Sequence, residues 1–570
     1  MTTITTDSPV NAVHRSLPDN NAAPAPLGAH ELSPGQIAFA LWAPWKKAVG
    51  LIGDFNQWRP DADPMTLDKD GVWRLTKPLP PGEHAYQFLI DGKTAVADPY
   101  ARAVRDVPNQ EQPHSIVRVG EQPFEWHDQG FTIKPFNKLV IYELHVGDFS
   151  PEGTFDGVVS KLDHIQNLGV SAIELMPIQE FPGNRSWGYN PAFFFAPEQA
   201  YGDTASFKRL VDECHRRGIA VILDMVFNHT APQSPLNLLY PYDKNPYMST
   251  DGNPWGFPDL NHWNQATKRY VKDIQDYWLT ECHVDGFRYD HVEGINWDGE
   301  NGMSFISWAA RQTKPGVLLI AEILVNDPAA VVQHTEVNAS WHWQFARALR
   351  CHLTESDRDG FRCGDMGKMM SLISHAGSGY ADNSQPINYV ESHDEERLVW
   401  DVLRNPAMNA DSALRKSQLA AIALFTAQGI PMIYSGQEFL AAAARTVDES
   451  KLPWGNMSQD HGQLLYKHFA TLAYLRDTCP AFQFNNIAPI RVDDEGRLIV
   501  FKRWTDDCVA VVALNFAPGA RHVTFTFPES GTWHEWLFDY DEMTTNEPFN
   551  AEIPGSYGKV WILRKPLSNA

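Results

Sequence analysis

The feature that most constrains the fold is an alternation of buried-strand and helix patterns from about residue 135 to 465. VSAIELMP and IAVILDMV are short apolar runs typical of buried strands. Between them, ASFKRLVDECHRRG places four apolar residues on one helical face, Phe207, Leu210, Val211 and Cys214. Gly218 then acts as a helix stop. Repeated strand–helix units over about 330 residues predict an α/β protein with an eight-stranded (β/α)8 TIM barrel.

The two ends of the chain have an all-β pattern instead. Residues 30–125 contain short strand-like runs such as IAFALWAP, AVGLIGDFNQW and HAYQFLIDG, and residues 470–568 contain LIVFKRW, CVAVVALNF and KVWILRK. An N-terminal and a C-terminal β-sandwich are therefore predicted on either side of the barrel, which spans 135–465. Residues 1–29 are polar and lack a signal-peptide pattern, so a disordered tail is predicted there.

Charge and composition narrow the class of partner. The chain has 70 acidic and 47 basic residues, a formal net charge of −23, which disfavours nucleic acids and anionic membranes. The sequence contains no apolar run of about 18 residues that would predict a membrane span. The six cysteines are scattered without a C-x-x-C pair, so reduced thiols in a cytoplasmic protein are expected. The pattern suits a neutral ligand such as a sugar.

Four apolar runs in the barrel segment end in a carboxylate. GIAVILD ends at Asp224, VDGFRYD at Asp290 and GVLLIAE at Glu322, and INYVESHD reaches Asp394 just past its strand. Catalytic groups of a (β/α)8 barrel lie at the carboxyl ends of its strands, so these side chains are expected to converge. Because an isolated buried carboxylate is costly, four together favour a functional cluster over separate capping residues.

Converging carboxyl groups are what glycoside hydrolysis requires. One acts as nucleophile or base, and another donates a proton because its neighbours raise its pKa. Arg288 lies two residues before Asp290 on the same strand face, where it can hold that carboxylate ionised. The alternative is a Mg²⁺ or Ca²⁺ site, but a built-in arginine reduces the need for a metal. No cofactor is therefore predicted, and a structural Ca²⁺ is left open.

Five motifs in this segment resemble the conserved regions of the α-amylase family of glycoside hydrolases, family 13. They are ELMPIQE at 174–180, DMVFNH at 224–229, GFRYDHVEG at 286–294, AE at 321–322 and VESHDEER at 390–397. Each motif alone is weak evidence. Five of them, each at a strand end and spread over the whole barrel segment, form a specific pattern.

The resemblance implies roles for individual residues. Asp290 corresponds to the nucleophile that forms a covalent glycosyl-enzyme, and Glu322 to the general acid/base. Asp394 corresponds to the third carboxylate, which binds hydroxyl groups of the sugar at the cleavage point. The other matches are substrate-binding or supporting residues: Arg288 beside the nucleophile, His229, His393, the supporting Asp224, and Trp187 and Tyr189 in SWGYNP, where Tyr189 is the aromatic platform.

The N-terminal stretch with LIGDFNQW and GEHAYQFLIDG resembles the family-48 carbohydrate-binding module, which precedes the barrel in branching, debranching and trehalose-releasing members. Trp58 and Trp73 are its candidate sugar platforms, and a purely structural role for the module stays open. The excursion between the third and fourth barrel strands, roughly 230–262, is short, which predicts an open cleft.

Two departures from the family pattern bear on specificity. Glu293 and Gly294 stand where many hydrolases of the family have Lys-His, so the usual contact to the sugar beyond the cleaved bond is not predicted. VESHDEER contains the ESHD found in branching enzymes, where simple amylases often have NHD.

The leading functional prediction is a retaining glycosidase that cleaves α-1,4-glucosidic bonds in maltodextrins or glycogen-like α-glucans. The alternatives are an α-glucan branching enzyme, an α-1,6-debranching or trehalose-releasing hydrolase, and a catalytically silent glucan-binding protein. The intact Asp290, Glu322 and Asp394 argue against the last. An α-glucan is the expected partner in every case, and no oligomeric state is predicted.

Overall fold

Two all-β regions flank a closed parallel barrel. The computed structural model describes residues 26–108, 110, 112–325, 327–545 and 547–564. Residues 1–25 of the predicted 1–29 tail lie outside the described residues, whereas Gly28 and Ala29 already belong to the first strand.

The N-terminal region is a sandwich of two antiparallel sheets. Its strands are β1 (Gly28–Ser33), β2 (Gln36–Trp42), β3 (Val49–Gly53), β4 (Thr66–Leu67), β5 (Val72–Pro78), β6 (Gly82–Ile90), β7 (Thr94–Val96), β8 (Val104–Arg105) and β9 (His114–Val119). One sheet has the order β1-β2-β5-β4, and the other has β3-β6-β9-β8 with β7 beside β6. Alternate residues of β2, Ile37, Phe39 and Leu41, are buried between the sheets, as a sandwich requires.

The central region supplies the barrel. Its strands are β10 (Ile141–Leu144), β11 (Ala172–Leu175), β12 (Gln179–Glu180), β13 (Phe193–Pro197), β14 (Ala220–Met225), β15 (Gly286–Tyr289), β16 (Leu318–Ala321), β17 (Ala339–Trp341), β18 (Pro386–Asn388) and β19 (Ile430–Tyr434). Eight of them close in the order β10-β11-β14-β15-β16-β17-β18-β19, and β19 pairs in parallel with β10. The antiparallel pair β12–β13 stands apart. The predicted (β/α)8 barrel is confirmed.

Helices surround the barrel strands. They are α1 (Val146–Phe149), α2 (Phe155–Val159), α3 (Leu162–Asn167), α4 (Thr204–Arg216), α5 (Pro235–Leu239), α6 (Gln265–Thr280), α7 (Val292–Ile295), α8 (Met303–Thr313), α9 (Ala330–His334), α10 (Trp343–Thr354), α11 (Met366–Ile373), α12 (Leu398–Leu403), α13 (Ala410–Thr426) and α14 (Asp460–Thr478). The four apolar residues predicted on one face of α4 are all buried. Among the described helices, none is long and apolar enough to cross a bilayer, and the cytoplasmic location stays a prediction.

The C-terminal region is again all-β. Its strands are β20 (Ile487–Asp493), β21 (Leu498–Trp504), β22 (Cys508–Asn515), β23 (Arg521–Phe525), β24 (Gly531–Glu535), β25 (Tyr540–Thr544), β26 (Phe549–Ile553) and β27 (Tyr557–Arg564). A six-stranded sheet, β20-β21-β22-β27-β24-β25, faces the pair β23–β26. The boundary predicted at 465–470 falls inside α14, which buries Leu465, Phe469 and Leu472 against the barrel's helical layer, so the β region begins later.

One prediction about a single residue was wrong. Trp73 is no sugar platform: it is 7% exposed, and its indole N–H donates to the Ala43 carbonyl 2.9 Å away inside the module. Trp58 is half-buried against the His114 ring, and its binding role stays a prediction. None of the six cysteines, all of which the structure describes, forms a disulfide bond, although Cys479 Sγ, just after α14, lies 2.7 Å from Cys508 Sγ at the start of β22. Tertiary packing decides both contacts.

Candidate active site

The four carboxylates predicted to converge do so at the carboxyl ends of the barrel strands. Asp224 lies in β14, Asp290 directly follows β15, Glu322 directly follows β16, and Asp394 lies beyond β18. Asp290, Glu322 and Asp394 line one cavity of about 420 Å³. Asp224 sits below it, buried beside Arg288, which is its register partner on the neighbouring strand.

Arg288 is the buried centre of this cluster. Its Nη1 donates to both oxygens of Asp224 at 2.8 Å and to Asp290 Oδ1 at 2.9 Å. Its Nη2 lies 3.2 Å from Glu322 Oε2. Its guanidinium also lies over the Trp341 ring, 4.5 Å from the centroid, which fixes its plane. One guanidinium therefore orients three carboxyl groups, two of which line the cavity.

Burial and crowding raise the pKa values of two carboxyl groups of this cluster. Burial raises the pKa of Asp290 well above its ordinary value, and the neighbouring carboxylates add to this while Arg288 opposes it. Burial likewise raises the pKa of Asp224. The single arginine therefore does not offset the crowding of Asp224 and Asp290, and both hold a proton more tightly than an isolated carboxyl group does. A site with both a protonated and an ionised carboxyl can act as acid and as nucleophile.

His393 and Asp394 form a second charged group on the cavity wall. His393 Nδ1 lies 2.6 Å from Glu143 Oε1, and its Nε2 lies 3.3 Å from Asp394 Oδ2. Burial alone would lower the pKa of His393, but Asp394 and Glu143 raise it to about 9. Burial would also raise the pKa of Asp394, yet His393 and the nearby arginines hold it below its ordinary value. Near neutral pH these residues are an imidazolium and a carboxylate.

Of the predicted aromatic and histidine side chains, some line the cavity and one lies in an adjoining pocket. Tyr189 lines the cavity, stacks on His393 with centroids 4.8 Å apart, and donates its hydroxyl to Asp224 at 2.6 Å. His229 also lines the cavity, but its Nε2 lies 2.9 Å from the Tyr189 carbonyl and its Nδ1 lies 3.3 Å from the Asn228 amide. Trp187 lies in the adjoining pocket instead, where the Arg445 guanidinium is 4.8 Å from its ring centroid.

The segment after Asp290 contains Glu293 and Gly294, the two residues that depart from the family pattern. His291 has a left-handed backbone, φ 43°, which aims its N–H at Glu322 Oε2, 2.9 Å away. Glu293 accepts the Leu324 N–H and does not belong to the residues that line the cavity. A Cβ at Gly294 would collide with Asn228 Oδ1, so a larger residue cannot stand there without a rearrangement. Glu293 therefore anchors the loop after Glu322, and Gly294 leaves room for Asn228.

Several site residues were missed by reasoning from the sequence. Glu143 lies inside β10 and not at the end of an apolar run, where the other carboxylates were predicted. Arg445 follows β19 and donates to the His393 carbonyl at 3.1 Å. Trp255 and Phe257 come from the short excursion after β14 and line the cavity, so that excursion forms a wall. The cluster of aromatics in NPWGFPDL was the available signal for these two.

A (β/α)8 barrel whose strand ends bring several carboxyl groups together beside one buried arginine has the arrangement expected of a glycosidase. Comparison with known proteins gives the family. The sequence matches the α-amylase catalytic domain over residues 117–236 and 251–463, carbohydrate-binding module 48 (isoamylase N-terminal domain) over 26–101, and the α-amylase C-terminal all-β domain over 490–553. The chain belongs to the α-amylase family, glycoside hydrolase family 13.

Relatives within the family differ in activity. A malto-oligosyltrehalose trehalohydrolase of Saccharolobus solfataricus is 30% identical over 446 residues, 72% of this chain and 74% of that protein. The Arthrobacter ramosus trehalohydrolase is 31% identical over 73% of this chain and 74% of its own length. A 1,4-alpha-glucan branching enzyme of Nitrosomonas eutropha is 33% identical over 47% of this chain and 40% of its own length. The fold is similar to a pullulanase of Anoxybacillus sp. LM18-11 complexed with maltotetraose, TM-score 0.79, 21% identity, covering 97% of this chain and 88% of that one.

Proposed function

We propose that this protein hydrolyses α-1,4-glucosidic bonds in maltodextrins and glycogen-like α-glucans by a retaining mechanism. The observation that carries the proposal is the contact of one buried arginine with two cavity-lining carboxyl groups, Asp290 at 2.9 Å and Glu322 at 3.2 Å. A guanidinium that reaches both carboxyl groups keeps them on the same part of the cavity wall, and a separation of about 5–5.5 Å, as in retaining glycosidases, is part of the proposal.

Asp290 is proposed as the nucleophile. Its Oδ1 is tied to Arg288, which stabilises the ionised form, while its side chain still reaches the cavity. In the first step a carboxylate oxygen of Asp290 bonds to the anomeric carbon as the glycosidic C–O bond breaks. The product is a glycosyl ester, which keeps the site occupied until an acceptor arrives.

Glu322 is proposed as the general acid and then the general base. It gives its proton to the departing glycosidic oxygen, and in the second step it takes a proton from the water that attacks the anomeric carbon. The His291 N–H holds Glu322 Oε2 in place through both steps. Asp394 and the His393 imidazolium are proposed to bind hydroxyl groups of the same sugar, the carboxylate as acceptor and the imidazolium as donor.

Product analysis tests hydrolysis against transfer. Incubation with maltoheptaose or glycogen is expected to create new reducing ends in proportion to bonds cleaved, and pullulan cleavage reports α-1,6 activity. New α-1,6 branches without new reducing ends would instead identify a branching enzyme, the transfer alternative. The barrel, its carboxyl groups and its covalent intermediate would be the same in both, because only the acceptor differs.

A second candidate is release of trehalose from the end of a malto-oligosaccharide. The two malto-oligosyltrehalose trehalohydrolases, each matched over more than 70% of both chains, favour it. Maltotetraosyl trehalose and maltohexaose, which have equal numbers of glucose units, separate the two candidates. A kcat/KM at least about tenfold higher on the trehalose-ended substrate, a difference of ~1.4 kcal/mol, would favour trehalose release.

The absence of a catalytic metal remains a prediction that chelation can test. Within the described ranges no group of three or more His, Cys, Asp or Glu side chains is arranged to hold a metal ion. Because Arg288 supplies a fixed positive charge at the reacting carboxyl groups, EDTA is expected to leave kcat unchanged in a short assay. A lower Tm after chelation would reveal a structural Ca²⁺. Immediate, metal-reversible loss of kcat at unchanged Tm would contradict the prediction.

Glu143 is expected to set the alkaline limb of the pH–rate profile. The pKa of His393 is raised to about 9 partly by Glu143, so its charge is lost as pH rises through that value. Glu143→Gln keeps a hydrogen-bond acceptor but removes the charge, which lowers the pKa of His393. The alkaline limb of kcat/KM should then move down by about one pH unit, corresponding to ~1.4 kcal/mol. If the alkaline limb of kcat/KM stays in place while the Tm falls, Glu143 has only a structural role.

A further inference from the structure

Two glutamates lie side by side in the interior of the barrel. Glu143 in β10 and Glu174 in β11 are register partners on neighbouring parallel strands, so their side chains leave the sheet on the same face. That face points inward, because Ile141 and Ala172, two positions earlier on the same strands, form one apolar cluster with Leu318 from β16 across the barrel. Glu143 and Glu174 are each 1% exposed. No step of the proposed mechanism uses Glu174.

Both carboxyl groups are short of hydrogen-bond donors. Glu143 Oε1 lies 2.6 Å from His393 Nδ1, but Glu143 Oε2 is buried without a hydrogen-bond partner among the described residues. Glu174 Oε2 is likewise buried and unpartnered within the same part of the chain. Ionised carboxylates only accept hydrogen bonds, so two ionised neighbours would leave both oxygens unsatisfied and would repel each other. A proton on one of the two groups supplies a donor to the other.

The charges around Glu174 make it the member of the pair that holds the proton. Burial raises the pKa of Glu174 well above its ordinary value, the negative charges of Glu143 and Asp224 raise it further, and Arg288 and His393 oppose them. Arg288 is paired with Asp224 at 2.8 Å. His393 is paired with Glu143, whereas Glu174 forms no ion pair within the described ranges. A neutral carboxyl group is therefore the form that this position favours.

We propose that Glu174 is a positioning residue that stays protonated and donates its O–H to Glu143 Oε2. The inference rests on the proposed function and adds to it a residue that does not line the cavity. Glu143 then keeps one negative charge, with Oε1 directed at His393 and Oε2 at Glu174. A hydrogen bond to a charged group is stronger than one between neutral groups, so it fixes the Glu143 carboxylate and with it the His393 ring. His393 in turn contacts Asp394, which is proposed to bind the sugar.

An isosteric substitution tests whether Glu174 is neutral. Glu174→Gln replaces a protonated carboxyl group by a neutral amide that still donates, so the alkaline limb of kcat/KM on maltoheptaose should stay within about 0.3 pH units of the wild type. Glu143→Gln, measured alongside, should move the same limb down, since it removes a charge that raises the pKa of His393. If Glu174 were ionised, Glu174→Gln would also remove a charge, and a matching downward shift would overturn the inference.

A second substitution tests whether the donor matters. Glu174→Leu has a similar size but cannot donate, so Glu143 Oε2 stays unsatisfied beside its charge. We expect kcat/KM on maltoheptaose to fall by about ten- to hundredfold in this variant, with most of it retained in Glu174→Gln. Equal losses in the two variants would show a structural role, and no loss in Glu174→Leu would show that no donor is needed. Either result would overturn the inference.

Infrared difference spectroscopy detects the proton itself and needs no substrate. The difference between the wild type and Glu174→Gln near neutral pH should contain the C=O stretching band of a protonated carboxylic acid, and this band should shift in D₂O. A carboxylate band in its place would overturn the inference even if the enzyme hydrolyses α-glucans as proposed. The acid band in a protein that hydrolyses no α-glucan would support the shared proton and refute the proposed function alone.

Discussion

Asp290→Asn is expected to lower kcat on maltodextrins by roughly 10⁴- to 10⁶-fold, the scale seen when an enzymatic nucleophile is removed. The amide has nearly the shape of the carboxylate and can still lie beside Arg288, so the fold should persist. It cannot form the glycosyl ester, because its oxygen is a poor nucleophile and the charge that Arg288 balances is gone. Initial rates with circular dichroism and Tm measure both effects.

Asp285→Asn is the matched control for this substitution. Asp285 is a buried carboxylate just before β15, bound to His215 at 2.8 Å and Lys314 at 2.9 Å, away from the cavity. The Asp285→Asn variant should have a lower Tm and an unchanged kcat, which is the reverse of the result expected for Asp290→Asn. If Asp290→Asn kept activity within about tenfold of the wild type, the nucleophile would have to be another carboxyl group.

Glu322→Gln is expected to remove most activity on natural glucans, by about 10²- to 10⁴-fold, while sparing the first step with α-glycosyl fluorides. A sugar alkoxide needs a proton to leave, whereas fluoride leaves without one. The second step also needs Glu322, as the base that activates water. A glycosyl-enzyme should therefore accumulate on this variant, and peptide mass spectrometry should find the added sugar on Asp290.

Glu293→Gln controls for disturbance of the neighbouring loop. Its amide oxygen can still accept the Leu324 N–H, so the loop after Glu322 keeps its anchor. This variant should change rates on glucans and on fluorides by similar small factors. Equal, large losses of Glu322→Gln on both kinds of substrate would show that Glu322 positions the site without donating a proton.

The local pattern of the chain was enough to predict the barrel and its principal carboxyl groups. Strand and helix periods are properties of short segments, and β15 and its neighbours are buried on both faces, so their apolar runs are unmistakable. Parallel strands in a barrel end on the same side, which brings together carboxylates that follow different strands. That is why Asp290 and Glu322 could be paired, although they lie 32 positions apart in the chain.

Other features depend on which distant segments pack together, and only the tertiary structure decided them. Trp73 and Trp45 look alike in the sequence, yet the sheets of the module bury one and leave the other 74% exposed. Glu143 gains its role only because His393, 250 residues away, lies 2.6 Å from it. Burial and charge contacts are sums over neighbours in space, so the sequence determined the elements and the catalytic candidates, while packing determined which side chains are exposed and how their pKa values shift.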